Sequence, residues 1–143
     1  MSAKKNLKIT LLDRAKADLS VVRVLLPQIA DDAEIDVCAY HCSQCIEKAV
    51  KYVADLSGQE YLQRHELSLI AEDLEIPDIL PLIKPYIPIL DTWISATRYS
   101  ESLRSNIKLV NEIYEVCKAV VSIADEMTPK KVEAPSLVKK DEG

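Results

Sequence analysis

Glycine and phenylalanine are the residue types that this sequence has least of. Of its 143 residues, 2 are Gly and none is Phe. So few glycines exclude the glycine-rich loops that cradle phosphate groups, and they disfavour a turn-rich β fold. The abundant Leu, Ile, Val, Ala, Glu and Lys favour helices instead.

An excess of positive charge is also lacking. The chain has 18 Lys and Arg against 23 Asp and Glu, and its formal net charge is -5. A broad nucleic-acid-binding surface needs an excess of basic residues, so the charge disfavours that class of protein and leaves only a local basic strip open. No apolar run has the length of a membrane span, and Lys4 and Lys5 precede no signal-like apolar core. We therefore expect a cytoplasmic protein.

The four cysteines do not have the spacing of a disulfide framework. Cys38, Cys42 and Cys45 lie at i, i+4 and i+7, which places them on one face of a helix, and Cys117 is distant in sequence. We expect all four to be small, buried and reduced. His41 adjoins the first three, but four ligands from under two helical turns would not converge on one zinc ion. We predict no metal site and no cofactor.

Apolar residues recur at helical spacing along most of the chain. The pattern predicts an all-α protein, an up-and-down antiparallel bundle of about five helices in residues 1–128, followed by a mobile tail in residues 129–143. The apolar stripe of the first helix begins at Ile9, and that of the last helix begins at Ile107. The proline-rich residues 77–88 predict turns or short helical pieces up to Pro85. The predicted helices cover residues 9–26, 31–57, 64–74, 86–97 and 105–128.

Local signals mark the ends of the longest predicted helix. Asp31, with Glu34 three residues later, has the form of a capping box, and Gly58 suits the C-terminal end. On the first helix, Asp18 falls on the polar side. We expect the Asp and Glu side chains to be ordinary surface charges. No pair of carboxylates stands out as a candidate for acid–base chemistry.

Polar residues of the second predicted helix form a ladder on one side. His41, Gln44, Lys48 and Lys51 are spaced by three, four and three, and Glu47 lies beside them. Such a ladder suits a phosphate group or another helix. Spacing alone favours a solvated face with a Glu47–Lys51 ion pair.

Two further positions are weaker candidates for binding. Arg98 and Tyr99 at the end of the fourth predicted helix suit a phosphate group, a clamp on the neighbouring loop, or simply the helix dipole. His65 lies at the start of the third predicted helix, and we expect it to pack locally in a capping region. The alternative is that the fold brings His65 close to the ladder on the second helix.

Taken in order, these residues resemble the HEPN family (higher eukaryote and prokaryote nucleotide-binding domain). The resemblance covers about residues 8–127 and implies a bundle of about five helices, often a homodimer. The family includes RNA-cleaving toxins and non-catalytic members, many of them encoded beside a small nucleotidyltransferase. The matching residues are Ala17-Asp18-Leu19, His41, Gln44, Glu47, Lys48, Lys51, His65-Glu66-Leu67 and Arg98-Tyr99.

The ribonuclease branch of the family carries a His four to six residues after an Arg, and this chain lacks that motif. Arg98 is followed by Tyr-Ser-Glu-Ser-Leu-Arg, and neither His41 nor His65 has an Arg at the required distance before it. The sequence is closer to the branch with Arg-Tyr-Pro here, although Ser100 replaces the Pro. The resemblance therefore implies a member of the non-RNase branch.

The resemblance leads us to expect a non-catalytic binding module, a homodimer that partners a small nucleotidyltransferase or binds a nucleotide. One alternative is an RNA-cleaving toxin of a toxin–antitoxin pair, with Arg98 on the phosphate and His41 or His65 as the base. Another is a structural or regulatory dimer without a ligand. We predict no catalytic residue. The predicted ligand- or partner-binding residues are His41, Gln44, Glu47, Lys48, Lys51, His65, Arg98 and Tyr99.

Overall fold

The structure is a computed structural model that describes residues 8–130, and within this range it contains helices and no strand. This confirms the predicted all-α fold class. Residues 131–143 of the predicted tail lie outside the described range. No helix within residues 8–130 is both long and apolar enough to cross a membrane. The helices are α1 (Leu11–Leu25), α2 (Asp32–Leu56), α3 (Leu67–Ala71), α4 (Leu80–Ile83), α5 (Ile87–Arg98) and α6 (Ile107–Met127).

The core lies between the long helices. α2 packs against α1, α5 and α6, and α5 also packs against the short α3. Trp93, Ile46 and Ile113 are fully buried there. α2 is therefore the central element, and polar side chains that point from it reach neighbours on several sides.

The cysteines are buried and unpaired, as predicted. All four have no exposed surface, and the Cys117 thiol donates to the carbonyl oxygen of Cys42 at 3.4 Å, which joins α6 to α2. Burial raises the pKa of the Cys38 thiol to about 11 and raises that of Cys117 well above its usual value. These thiols are therefore core side chains.

The beginnings of α1 and α2 differ from the prediction. Thr10 caps α1 in a full capping box with Asp13, which the sequence analysis did not predict. Ile9 therefore lies outside the helix, and it is 64% exposed. Asp31 does cap α2 by accepting from the Glu34 amide. However, the Glu34 carboxylate accepts from the amide of Ala30, whereas a capping box requires it to accept from the amide of Asp31. The predicted capping box is therefore only half formed.

The third predicted helix is too long. α3 has 5 residues, and its first amides donate to the carboxylate of Asp91 on α5, so a tertiary contact begins this helix.

The predicted short pieces in the proline-rich segment are confirmed as α4 and a 3-10 turn, Lys84–Tyr86. α6 begins after the Asn106 cap, which leaves Ile107 in its first turn 46% exposed, not in the core as predicted.

Candidate functional site

A buried carboxylate on α1 holds two residues of the predicted ladder. Asp18 is only 7% exposed. Its two oxygens lie 2.7 Å from His41 Nδ1 and 2.7 Å from Lys48 Nζ. The prediction that Asp18 lies on a polar, solvated side was wrong, because its polar partners come from α2. An ion pair that is shielded from water in this way fixes both partners more firmly than a surface pair does.

A second buried carboxylate, on α2 itself, repeats this arrangement. Glu47 is 5% exposed, and its Oε2 lies 3.0 Å from Lys51 Nζ and 2.9 Å from His65 Nδ1. The Gln44 amide donates to its other oxygen at 3.4 Å. The predicted Glu47–Lys51 pair is therefore present. His65 reaches the ladder, so the prediction of local packing was wrong.

The ladder is not a solvated face. The side chains of Lys48 and Lys51 are only 25% and 12% exposed, and both ammonium groups are bound to carboxylates. The expectation that the acidic residues are ordinary surface charge fails for the same reason, since Asp18 and Glu47 are buried. A charge leaves water only where a partner compensates it. The two lysines are thus structural partners of the carboxylates and are not free for a phosphate.

A third carboxylate holds two arginines beside His65. Glu66 Oε2 lies 3.2 Å from Arg64 and 3.3 Å from Arg98. Its own backbone amide, together with the two guanidinium groups, lowers the pKa of Glu66 to about 2. Arg98 therefore clamps the segment that precedes α3, which was one of the predicted roles.

Two open clefts between α2 and α5 form what we call the α2–α5 groove. Tyr40 and Thr97 line both clefts. The smaller, of about 220 Å³, is also lined by Gln44, His65, Ile94 and Arg98. The larger, of about 380 Å³, contains His41 and is also lined by Asp36, Val37, Ser100, Glu101 and Leu103.

The groove gathers some of the predicted site residues and excludes others. His41 borders one cleft, and Gln44, His65 and Arg98 border the other. Glu47, Lys48 and Lys51 line neither cleft. Glu47 holds His65, and the two lysines bind the carboxylates that hold the histidines. Tyr99, 67% exposed at the C-terminal cap of α5, also lines neither cleft.

The sequence reading missed Asp36, which holds the loop at one end of the groove. Its carboxylate accepts from the Ser102 hydroxyl, the Leu103 amide and the Ser105 hydroxyl, at 2.9 to 3.1 Å. These partners are 66 to 69 residues away, so no local spacing signals the contact.

A comparison with protein-family models matches the HEPN domain over residues 10–127. The chain belongs to the HEPN family. No curated protein and no solved structure matches it. HEPN domains are generally related to nucleotides or RNA and often form dimers. The assignment to the non-RNase branch stays a prediction.

The described residues of this HEPN domain include no group of three or more His, Cys, Asp or Glu side chains arranged to hold a metal ion. Asp18 and Glu47 each bind a lysine ammonium group instead. What the site offers chemically is two imidazoles, each with one ring nitrogen fixed by a carboxylate, and one guanidinium.

Proposed function

We propose that this HEPN domain is a non-catalytic binding module whose α2–α5 groove contacts a protein partner, and that the partner is a small nucleotidyltransferase. One observation carries the proposal. His41, His65 and Arg98 border an open groove, and each is held in place by a carboxylate outside it. Side chains fixed in advance lose less entropy when a partner binds.

The shape of the groove supports a protein partner over a small ligand. Small molecules bind in pockets of about 300 to 1,000 Å³ that enclose most of the ligand. The cleft that contains Arg98 and His65 has about 220 Å³, below this range, and Tyr99, next to Arg98 in the chain, is 67% exposed. The cleft that contains His41 has about 380 Å³, but it is wide open to solvent and would not enclose most of a ligand. Arg and Tyr dominate binding energy at protein interfaces, so this rim suits a protein surface.

The test removes His65 and Arg98 from the rim and leaves the two buried lysine–carboxylate pairs intact. A tagged chain carrying His65→Ala and Arg98→Ala is expected to lose a stoichiometric nucleotidyltransferase that the unmodified chain recovers from its native cell. Arg14→Ala is the control, because Arg14 is exposed on α1 and has no ion pair among the described residues. Lys48 is unsuitable for substitution, since its loss would leave the buried Asp18 carboxylate without its ammonium partner.

Two outcomes contradict the proposal. One is recovery of the tagged chain alone. The other is equal recovery of the nucleotidyltransferase by the double variant and by the unmodified chain, with thermal unfolding showing that both are folded.

One observation favours RNA cleavage as a second candidate function. Glu47 fixes His65 through Nδ1, so that the Nε2 atom remains for proton transfer, and Arg98 borders the same cleft. His65 is a better candidate base than His41, because their side chains are 66% and 27% exposed. RNA cleavage that falls sharply in His65→Ala and in Arg98→Ala, but not in Arg14→Ala, would support this function. RNA that stays intact after long incubation with the unmodified chain would exclude it.

A further inference from the structure

A further cleft lies beside the α2–α5 groove and shares Glu101 and Leu103 with it. It has about 700 Å³ and runs between α5 and the loop that joins α5 to α6. This volume falls within the range of small-molecule sites. The residues that line it are Ile89, Thr92, Ser95, Ala96, Glu101, Ser102, Leu103 and Arg104. We call it the Arg104 cleft.

Arg104 carries the positive charge of this cleft. Among residues 8–130, its guanidinium has neither an ion pair nor a hydrogen bond, whereas Arg64 and Arg98 are both bound to Glu66. A guanidinium binds phosphate and carboxylate through paired donors. The cleft therefore has a free position for an anionic group.

The backbone holds Arg104 in an unusual conformation. Its φ is +53° and that of Ser100 is +57°, in the left-handed region that residues other than glycine rarely adopt. Such conformations persist where surrounding contacts impose them, and they cluster at functional sites. Here Asp36 binds the loop at three points, and the Arg104 amide donates to the Ser102 hydroxyl. The loop thus fixes the backbone at Arg104.

The other lining groups narrow the chemistry of the ligand. The Glu101 carboxylate repels an anion that has no hydroxyl groups, and it accepts hydrogen bonds from hydroxyl groups of a ligand. Ser95 adds a hydroxyl group to the lining of the cleft. Ala96 and Leu103 are buried and give the cleft an apolar floor. We propose that the Arg104 cleft binds a phosphomonoester that carries neighbouring hydroxyl groups, with the phosphate at Arg104 and the hydroxyls at Glu101. A sugar phosphate and a nucleoside monophosphate share this chemistry.

The test is calorimetric titration of the full chain with ribose 5-phosphate, with AMP and with inorganic phosphate. Ribose 5-phosphate and AMP are expected to bind. Arg104→Asn is expected to weaken binding about tenfold or more, because it removes a charge-assisted contact. Asn is chosen because it tolerates the left-handed conformation. Lys108→Gln removes a nearby exposed charge that does not line the cleft, and it should leave the affinity unchanged.

Glu101→Gln separates this site from a general attraction of anions. It is expected to weaken binding of ribose 5-phosphate but to leave or improve that of inorganic phosphate. Tighter binding of AMP than of ribose 5-phosphate identifies a nucleotide site, and equal affinities identify a sugar-phosphate site. No binding of either ester, or affinities unchanged in Arg104→Asn, overturns the proposal. Arg104 does not line the α2–α5 groove, so neither result bears on partner binding there.

Discussion

At the scale of single residues, the main feature is a repeated arrangement of one buried carboxylate, one lysine and one histidine. Asp18 holds Lys48 and His41, and Glu47 holds Lys51 and His65. In both cases the histidine is held through Nδ1. The carboxylates therefore fix the orientation of two imidazoles at the edge of the groove, and the lysines balance the buried charge.

Removing the Asp18 carboxylate should destabilise the fold. Asp18→Ala leaves Lys48, only a quarter exposed, without its partner, and we expect a loss of about 3 kcal/mol. Asp18→Leu combined with Lys48→Met should lose less, because no unpaired charge remains. Urea unfolding measures both changes.

Lys16→Ala on the same helix is the control for the Asp18 variants. Its pair with Asp125 is about half exposed, so we expect a loss below about 1 kcal/mol. Equal losses for Asp18→Ala and Lys16→Ala would contradict the structural role of the buried pair.

Glu66 should give stability a specific dependence on pH. Its pKa in the folded protein is about 2, below the ordinary 4.5, so the charged form is favoured by folding. Its contribution is therefore complete above about pH 4.5 and is lost as the pH falls towards 2. In Glu66→Gln, which does not titrate, the deficit in stability relative to the unmodified chain should be constant from pH 7 to 5 and should shrink below pH 4.5. A deficit that persists at pH 2 would argue against the ion pairs with Arg64 and Arg98.

At the scale of elements, contacts between distant segments explain where the sequence was informative and where it was not. Periodicity predicted α1, α2, α5 and α6, because burial of one helix face repeats every 3.6 residues. It misplaced Asp18, whose partners lie 23 and 30 residues away, and overextended α3, whose cap Asp91 is 24 residues away. His65 was only a weaker candidate, because its partner Glu47 is 18 residues away and spacing does not predict the contact.

The loop between α5 and α6 depends on one side chain of α2. Asp36→Ala removes three hydrogen bonds to the loop, and we expect a loss of about 2 kcal/mol in the free energy of unfolding. Hydrogen exchange should increase most at the Leu103 amide, which donates to Asp36. Asp73→Ala is the control, because Asp73 is exposed and its carboxylate has no hydrogen bond among the described residues. An unchanged exchange rate at Leu103 would show that the loop holds its conformation without Asp36.

At the scale of the whole molecule, the net charge of -5 disfavours a broad nucleic-acid-binding surface and favours localised binding surfaces. The cations near the groove are mostly committed to carboxylates, so the molecule presents few free positive charges there. We expect a surface of this kind to select a partner by shape and by a few fixed groups, and not to attract nucleic acid generally.

The last prediction concerns assembly, which we propose to be a homodimer, as is frequent among HEPN domains. Exposed apolar residues that lie near one another mark interaction surfaces, whereas isolated ones need no explanation. Val21 and Val24, one turn apart on α1, are 38% and 56% exposed. Light scattering should give twice 16.0 kDa, or about 32 kDa. Val24→Glu should give about 16 kDa, and Ile107→Glu, at an apolar position of similar exposure on α6, should not. A monomer in the unmodified chain at micromolar concentration would exclude the dimer, and a dimer that persists in Val24→Glu would place the interface elsewhere.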